Sequence, residues 1–262
     1  MATKIIALDC GHGLKTAGKQ TPDGIKEWTL NDKVRDKVVY FLEDYNCKII
    51  HIDNNEGNVD ESLADRLTKY IQAKADVFVS IHHNAYTGTW NNATGVEVYT
   101  DTNPTNEDLR LADCIYGRMV NYTNLKGRGI KKAAFKVINQ NSIPAILCEG
   151  GFMDGKKDYK YITTDEGQTA YAKAIADGLI EFLKLTKKVI TVTPSAPKVN
   201  YFAKYSGKSS SIVDALKSIG ATSTFAYRTK IAKANGIKLY VGTSKQNTTM
   251  LNLLKNGKLI KP

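Results

Sequence analysis

The sequence has no C-x-x-C pair; its four cysteines, Cys10, Cys47, Cys114 and Cys148, stand far apart. That excludes a cysteine-based zinc knuckle. Two of them lie in or just after apolar runs, where a buried free thiol is the expected state, and this suits folding in a reducing compartment. Long hydrophobic runs are also missing. No stretch reaches the roughly 18 apolar residues of a membrane span, so membrane insertion is not expected. The start of the chain enters a strand pattern at once, without the apolar core of about 7–15 residues that marks a signal peptide. A protein of this kind that acts outside a cell needs some other carrier. Histidine is scarce, with four copies: His12, His51, His82 and His83. Finally, acid is almost absent from one end. Residues 198–262 hold twelve Lys and Arg and a single acid, Asp214, whereas the first 197 residues carry equal numbers of each sign. The whole net charge of +11 therefore belongs to the tail. Such a segment serves either solubility or an anionic partner.

What the chain does have is alternation. Residues 4–9, 48–52, 77–81, 95–100, 135–138 and 145–148 read as short strands. Helical periodicity runs over 26–44, from an N-cap at Asp60 to about Lys74 with Leu63, Leu67, Tyr70 and Ile71 inward, over 104–122, and from a Thr164 cap to about Leu185. Residues 125–132, basic and glycine-containing, read as a loop at the rim. Strand and helix patterns in turn predict an α/β fold, a twisted, mostly parallel sheet flanked by helices. Around 187–200 the texture becomes proline-containing and extended, as in a linker. Beyond it, three short helical patterns close with Gly220, Gly236 and Gly257, where left-handed caps belong. The expected division is a large domain over 1–186, a linker over 187–200 and a small, mainly helical domain over 201–262.

Three strands run into chemically capable residues. Lys4 to Asp9 leads into Cys10-Gly11-His12-Gly13, Val77 to Ile81 into His82-His83-Asn84, and Ala145 to Cys148 into Glu149-Gly150-Gly151. Ligands of open α/β sheets sit outside the carboxyl ends of strands. His12, Glu27 and His82 make a two-nitrogen, one-oxygen set of the type that holds zinc in hydrolases with a fourth position left for water. Glu149 is placed to move a proton, and the glycines after it would leave room for substrate. Each residue has a plainer reading. His12 between glycines suits a turn, His82 suits a core, Glu27 suits a helix N-terminus, and only their coincidence at strand ends lifts them above these. His83 points to the opposite strand face from His82, so it is a supporting residue. His51, ending another strand, is the rival ligand. A cysteine nucleophile at Cys148 competes with Glu149, because neighbours on a strand face opposite ways.

The segments Leu8-Asp9-Cys10-Gly11-His12-Gly13, Gly24-Ile25-Lys26-Glu27-Trp28, Ser80-Ile81-His82-His83-Asn84-Ala85 and Ile146-Leu147-Cys148-Glu149-Gly150-Gly151-Phe152 resemble, in order and spacing, the zinc-dependent N-acetylmuramoyl-L-alanine amidases of the amidase 3 class. Ala64-Asp65-Arg66-Leu67 is similar to that family as well, and the likeness spans about residues 3–185. It implies His12, Glu27 and His82 as Zn2+ ligands, Glu149 as catalytic acid/base, and cleavage of the amide between N-acetylmuramic acid and L-alanine in peptidoglycan. One departure is visible. Ile52-Asp53-Asn54 stands where many members carry arginine, which bears on substrate contacts rather than on the metal site.

The tail, from Ser211-Ile212-Val213-Asp214-Ala215-Leu216 through Tyr240-Val241-Gly242-Thr243, resembles the C-terminal wall-binding module of phage lysins against Gram-positive bacteria. It implies an anionic wall polymer as partner. The two resemblances together imply a phage endolysin made in the host cytoplasm and released by a holin to the cell wall. The contrasting reading is a wall-binding protein with a non-amidase or inactive hydrolase half, which predicts missing ligands; none is missing. A nucleic-acid-binding tail predicts base-reading side chains on a helix-turn-helix, and Arg228 alone suits that role.

Overall fold

The structure, a computed structural model, describes residues 3–188, 200–238 and 240–262. By internal contacts the chain divides into two units, Met1–Val189 and Ile190–Pro262. The predicted linker falls, from residue 189 to 199, outside the described residues.

The first unit is built on six strands: β1 (Lys4–Cys10), β2 (Cys47–His51), β3 (Val77–Asn84), β4 (Val96–Thr100), β5 (Gly127–Lys132) and β6 (Ala145–Phe152). They lie in the order β2-β1-β3-β6-β4-β5. All neighbours are parallel except β4 and β6, so the sheet is mostly parallel, as expected. Parallel strands need crossovers and bury both faces. One face is covered by α1 (Glu27–Leu42), α3 (Asn106–Thr123) and α5 (Asp165–Leu183). Val79, Ile81, Val98 and Cys148 meet Val34, Ile115 and Ile175 there. The other face packs Ala7, Phe78 and Leu147 against Tyr70 of α2 (Leu63–Gln72) and against Val137 and Ile138. This even split follows from the period of two along each strand.

Helix boundaries follow local chemistry. Thr164 accepts the Gly167 N–H at the start of α5, and Thr105 forms a reciprocal capping box with Asp108 at α3. The N-cap of α2 is Ser62 rather than Asp60; Asp60 instead accepts from Thr16 and Arg66. The inward face of α2 also differs from its apolar pattern. Leu63 and Ile71 are exposed, and Arg66 and Tyr70 are buried. Arg66 takes that position because it supplies donors to buried carbonyls and to Asp9.

Two segments exchange roles relative to the sequence reading. Residues 127–132 form the edge strand β5, where charge and glycine are tolerated because one side of it has no partner strand among the described residues. Residues 135–138 form a turn, closed by Ile138 N–H donating to the Phe135 carbonyl. The Val137 carbonyl accepts from the Tyr70 hydroxyl at 2.8 Å, so these apolar residues cover the sheet without joining it. A short helix, α4 (Lys156–Ile162), lies between β6 and α5, with Asp158 in its first turn and Lys160 in its last.

In the second unit, α6 (Ile212–Ser218), α7 (Phe225–Ala234) and α8 (Ser244–Lys255) enclose Leu216, Ile231, Tyr240, Met250 and Leu254. Ser211, Thr224 and Thr243 cap them at the start. Gly220, Gly236 and Gly257 follow with positive φ, as their positions predict. No helix among the described residues is long and apolar enough to cross a membrane.

A Cβ built on Gly150 would lie 2.1 Å from the Tyr171 ring, so the missing side chain makes room for α5. The expectation that Gly150 and Gly151 open space for substrate is corrected accordingly: Gly151 faces Ile162 and Leu125. Gly150→Ala is expected to cost about 1–3 kcal/mol through overpacking, measured by denaturant unfolding of the full chain.

Candidate metal centre

The three donors come from three separate elements. His12 follows β1, Glu27 opens α1 and His82 lies near the end of β3. One ligand atom of each falls within 4.8 Å of the others. His12 Nε2 stands 3.3 Å from Glu27 Oε2, and His82 Nδ1 stands 3.0 Å from Glu27 Oε1. Donors around a tetrahedral ion with bonds near 2.1 Å are spaced by roughly 3.3 Å. The set could therefore close on one metal ion.

The local sequence is shaped by this convergence. His12 has φ of 66°, a left-handed conformation that side chains rarely adopt. Gly11 is required because a Cβ there would lie 1.9 Å from the His82 ring. Arg66 fixes the loop. Its guanidinium donates to Asp9 at 2.5 Å, to the Cys10 carbonyl at 2.7 Å and to the His12 carbonyl at 2.8 Å. Ser80 donates to the second oxygen of Asp9. His83 lies on the other strand face, as its alternation predicts. It contacts the Asn31 amide oxygen at 2.8 Å and the edge of Tyr171, and Asn31 in turn donates to the Gly11 carbonyl. His51 bonds Asn55 and lies outside the donor set, so the rival ligand is set aside. Asp53, the residue that departs from the family pattern, turns inward. It accepts from Cys10 N–H, Trp28 Nε1 and Arg35.

Electrostatics separate the donors. Burial lowers the His12 pKa to about 4, which leaves a neutral imidazole with a free lone pair at neutral pH. At His82 burial also opposes charge, but the hydrogen bond and charge of Glu27 outweigh it and raise the pKa. Burial alone would raise Glu27; the two histidines hold it below the ordinary carboxylate range.

Glu149 sits on β6 directly beside His82 in the ladder. Its Oε2 is buried without a hydrogen-bond partner among the described residues, an exception among buried polar atoms. Burial pushes its carboxyl well above the ordinary range. Cys148 faces the opposite way, into the core with Ile146 and Tyr171, and burial raises its thiol pKa far out of reach of a thiolate. The same holds for Cys10. A groove of about 850 Å³ exposes His12, His82 and Glu149 together, with Lys19, Tyr99 and Lys136 along its walls.

Three residues of this site escape a reading by pattern alone: Arg66, Asn31 and Glu97. Glu97, buried on β4, lies opposite Glu149 and receives Arg128 and Lys131. Its signal was a lone acid inside the apolar run Val96-Glu97-Val98.

A group that could hold a metal ion thus stands beside Glu149 at the carboxyl ends of β1, β3 and β6. The chain belongs to the amidase 3 family of N-acetylmuramoyl-L-alanine amidases, whose pattern matches residues 6–181. It is a peptidoglycan amidase of that family. It is 34% identical, over 71% of its length and 68% of the relative's, to the endolysin of Bacillus phage SPP1. It is 29% identical to the N-acetylmuramoyl-L-alanine amidase LytC of Bacillus subtilis, over 68% of this chain and 35% of that one. The N-acetylmuramoyl-L-alanine amidase of Clostridium difficile 630 superposes with a TM-score of 0.66 at 27% identity, covering 70% of this chain and 98% of that one.

Arg66→Met is expected to leave Asp9 as an unpaired buried charge. Loss of one partner from such a pair costs about 3–5 kcal/mol, read by denaturant unfolding, and metal retained after dialysis should fall with it.

Proposed function

We propose that the first unit is a zinc-dependent amidase that cleaves between N-acetylmuramic acid and L-alanine, with His12, Glu27 and His82 holding the ion and Glu149 as acid/base. The observation that carries this reading is the partnerless buried oxygen of Glu149 beside the donor set. Two neutral-capable imidazoles and one carboxylate are a donor set that suits Zn2+. When bound, the ion supplies a water of lowered pKa and polarises the scissile carbonyl. The chain's own residues do the rest. Glu27, held as carboxylate, brings its two oxygens up to His12 Nε2 and His82 Nδ1. Arg66 and Asn31 hold the backbone that presents His12. Glu149 accepts the proton that the water loses and returns it to the nitrogen as the C–N bond breaks. One carboxylate with a high proton affinity can serve both steps.

The second unit is proposed as a wall-binding module for an anionic polymer. Its support is its charge: Asp214 is the only acid after residue 197. With the likeness to a phage endolysin, the two units make a lysin of phage type acting on Gram-positive walls.

Glu149→Ala should retain the metal yet lose release of L-alanine amines from purified peptidoglycan by about 10²- to 10⁴-fold. Cys148→Ala should keep that activity; an inactive Cys148→Ala enzyme indifferent to chelators would overturn the metal reading. Retention of the full chain on purified walls should fall as ionic strength rises from 0.05 to about 0.5 M, where screening shortens to a few ångströms. Salt-independent retention would remove charge as its basis.

A further inference from the structure

The sheet order sets a line of side chains along one edge, where β1, β3 and β6 present their carboxyl ends and the reversed strands β4 and β5 their amino ends. His12 follows β1, His82 is on β3, Glu149 on β6, Glu97 on β4 and Arg128 on β5. The proposed reaction gives this line a direction. Glu149 hands its proton to the leaving amine, so the peptide side of the scissile bond lies beyond Glu149, toward β4 and β5. The glycan side lies back across the donor set.

Glu97 faces Glu149 across the β4–β6 pair, and side chains directly opposite in such a ladder stand about 5 Å apart at Cβ. Its carboxylate is buried and fully occupied. Oε1 accepts from Asn84 at 2.6 Å and from the Tyr99 hydroxyl at 2.8 Å; Oε2 accepts from Arg128 Nε at 2.8 Å and from Lys131. Asn84 and Tyr99 also line the groove. Two cations thus share one anion, and a positive charge is left over beside the groove residues Asn84 and Tyr99. Lys136, exposed and lining the groove itself, forms no ion pair among the described residues.

Arg128 is held in one orientation by three contacts. Its Nε is fixed on Glu97, its guanidinium carbon lies 4.9 Å from the Phe152 ring centroid, and its stem rests on Gly95, where a Cβ would lie 2.8 Å from Arg128 Cγ. Its two terminal nitrogens have no hydrogen-bond partner among the described residues, and its side chain is 33% exposed. A guanidinium pinned through Nε, with its terminal groups open, presents donors to an incoming carboxylate. Glu97 cannot be that carboxylate's competitor, because all its contacts are already made.

We propose that Arg128, aided by Lys131, is the receptor for a free carboxylate on the peptide stem of the substrate, beyond its L-alanine. The proposal rests on the amidase reading for its direction. Glu97 is the positioning residue, and Arg128 sets specificity. A stem whose carboxylate is blocked as an amide loses the charge-assisted contact, so this site discriminates between walls with free and amidated stems.

The test is calorimetric binding of two synthetic L-alanyl stem peptides to the full chain, one with free carboxylates and one with each carboxylate as its amide. The intact protein should bind the free form about tenfold or more tightly than the amide, the scale of one hydrogen bond to a charged group. Arg128→Gln should bring the ratio close to one. Arg128→Lys keeps a charge on Glu97 but lacks the planar donor pair, and it should lower the ratio too; thermal melts confirm that both variants fold. Equal affinity of the intact protein for the two peptides, no binding of either, or a ratio unchanged in both variants would overturn the receptor. Release of L-alanine amines from peptidoglycan is read separately. If that product is absent while the binding preference stands, the amidase reading fails and the carboxylate site survives; if the product forms without the preference, the receptor alone fails.

Discussion

The Arg66 guanidinium, buried under the loop that follows β1, is the contact on which the site depends. It binds the Asp9 carboxylate and the carbonyls of Cys10 and His12 at once. An ion pair in the interior is favourable only when its remaining donors and acceptors are also met, and Ser80 completes that requirement on Asp9. The result is a stiff loop that keeps His12 in a left-handed conformation it would not hold alone. Glu27 and His82 then reach it from a helix start and a strand end. Preorganisation of this kind costs nothing at the moment of reaction, because the strain is absorbed in folding.

Beside that loop, two carboxylates on neighbouring strands are used in opposite ways. Glu97 is surrounded by donors and fixed as an anion below the ordinary range. Glu149, directly opposite, has an oxygen with no partner and a raised proton affinity. Environments that drive paired carboxyls apart are the usual way to obtain a proton carrier and a structural anion from the same residue type.

Much of this was legible in the sequence because it depends on short-range rules. The period of two on β3 put His82 and His83 on different faces, and on β6 it separated Glu149 from Cys148. Capping by Thr164 and the positive-φ glycines of the second unit followed from local chemistry. What escaped reading was settled by distant partners. Arg66 lies on the inward face of α2 because buried carbonyls far away in sequence need its donors, and no periodicity marks that. Residues 127–132 join the sheet because β4 offers an edge, whereas the more strand-like residues 135–138 find Tyr70 and a turn instead. Asp53 looked like a substrate-side substitution, yet it is a buried acceptor for Trp28 and Arg35.

The orientation of the thiols has an outcome of its own. Cys10 ends β1 and Cys148 precedes Glu149 in β6, yet each is sealed in the interior with its ionisation suppressed. Oxidants attack the ionised sulfur at an accessible position. With both sulfurs held this way, air and peroxide find no ionised Cys10 or Cys148 sulfur beside the donor set to attack.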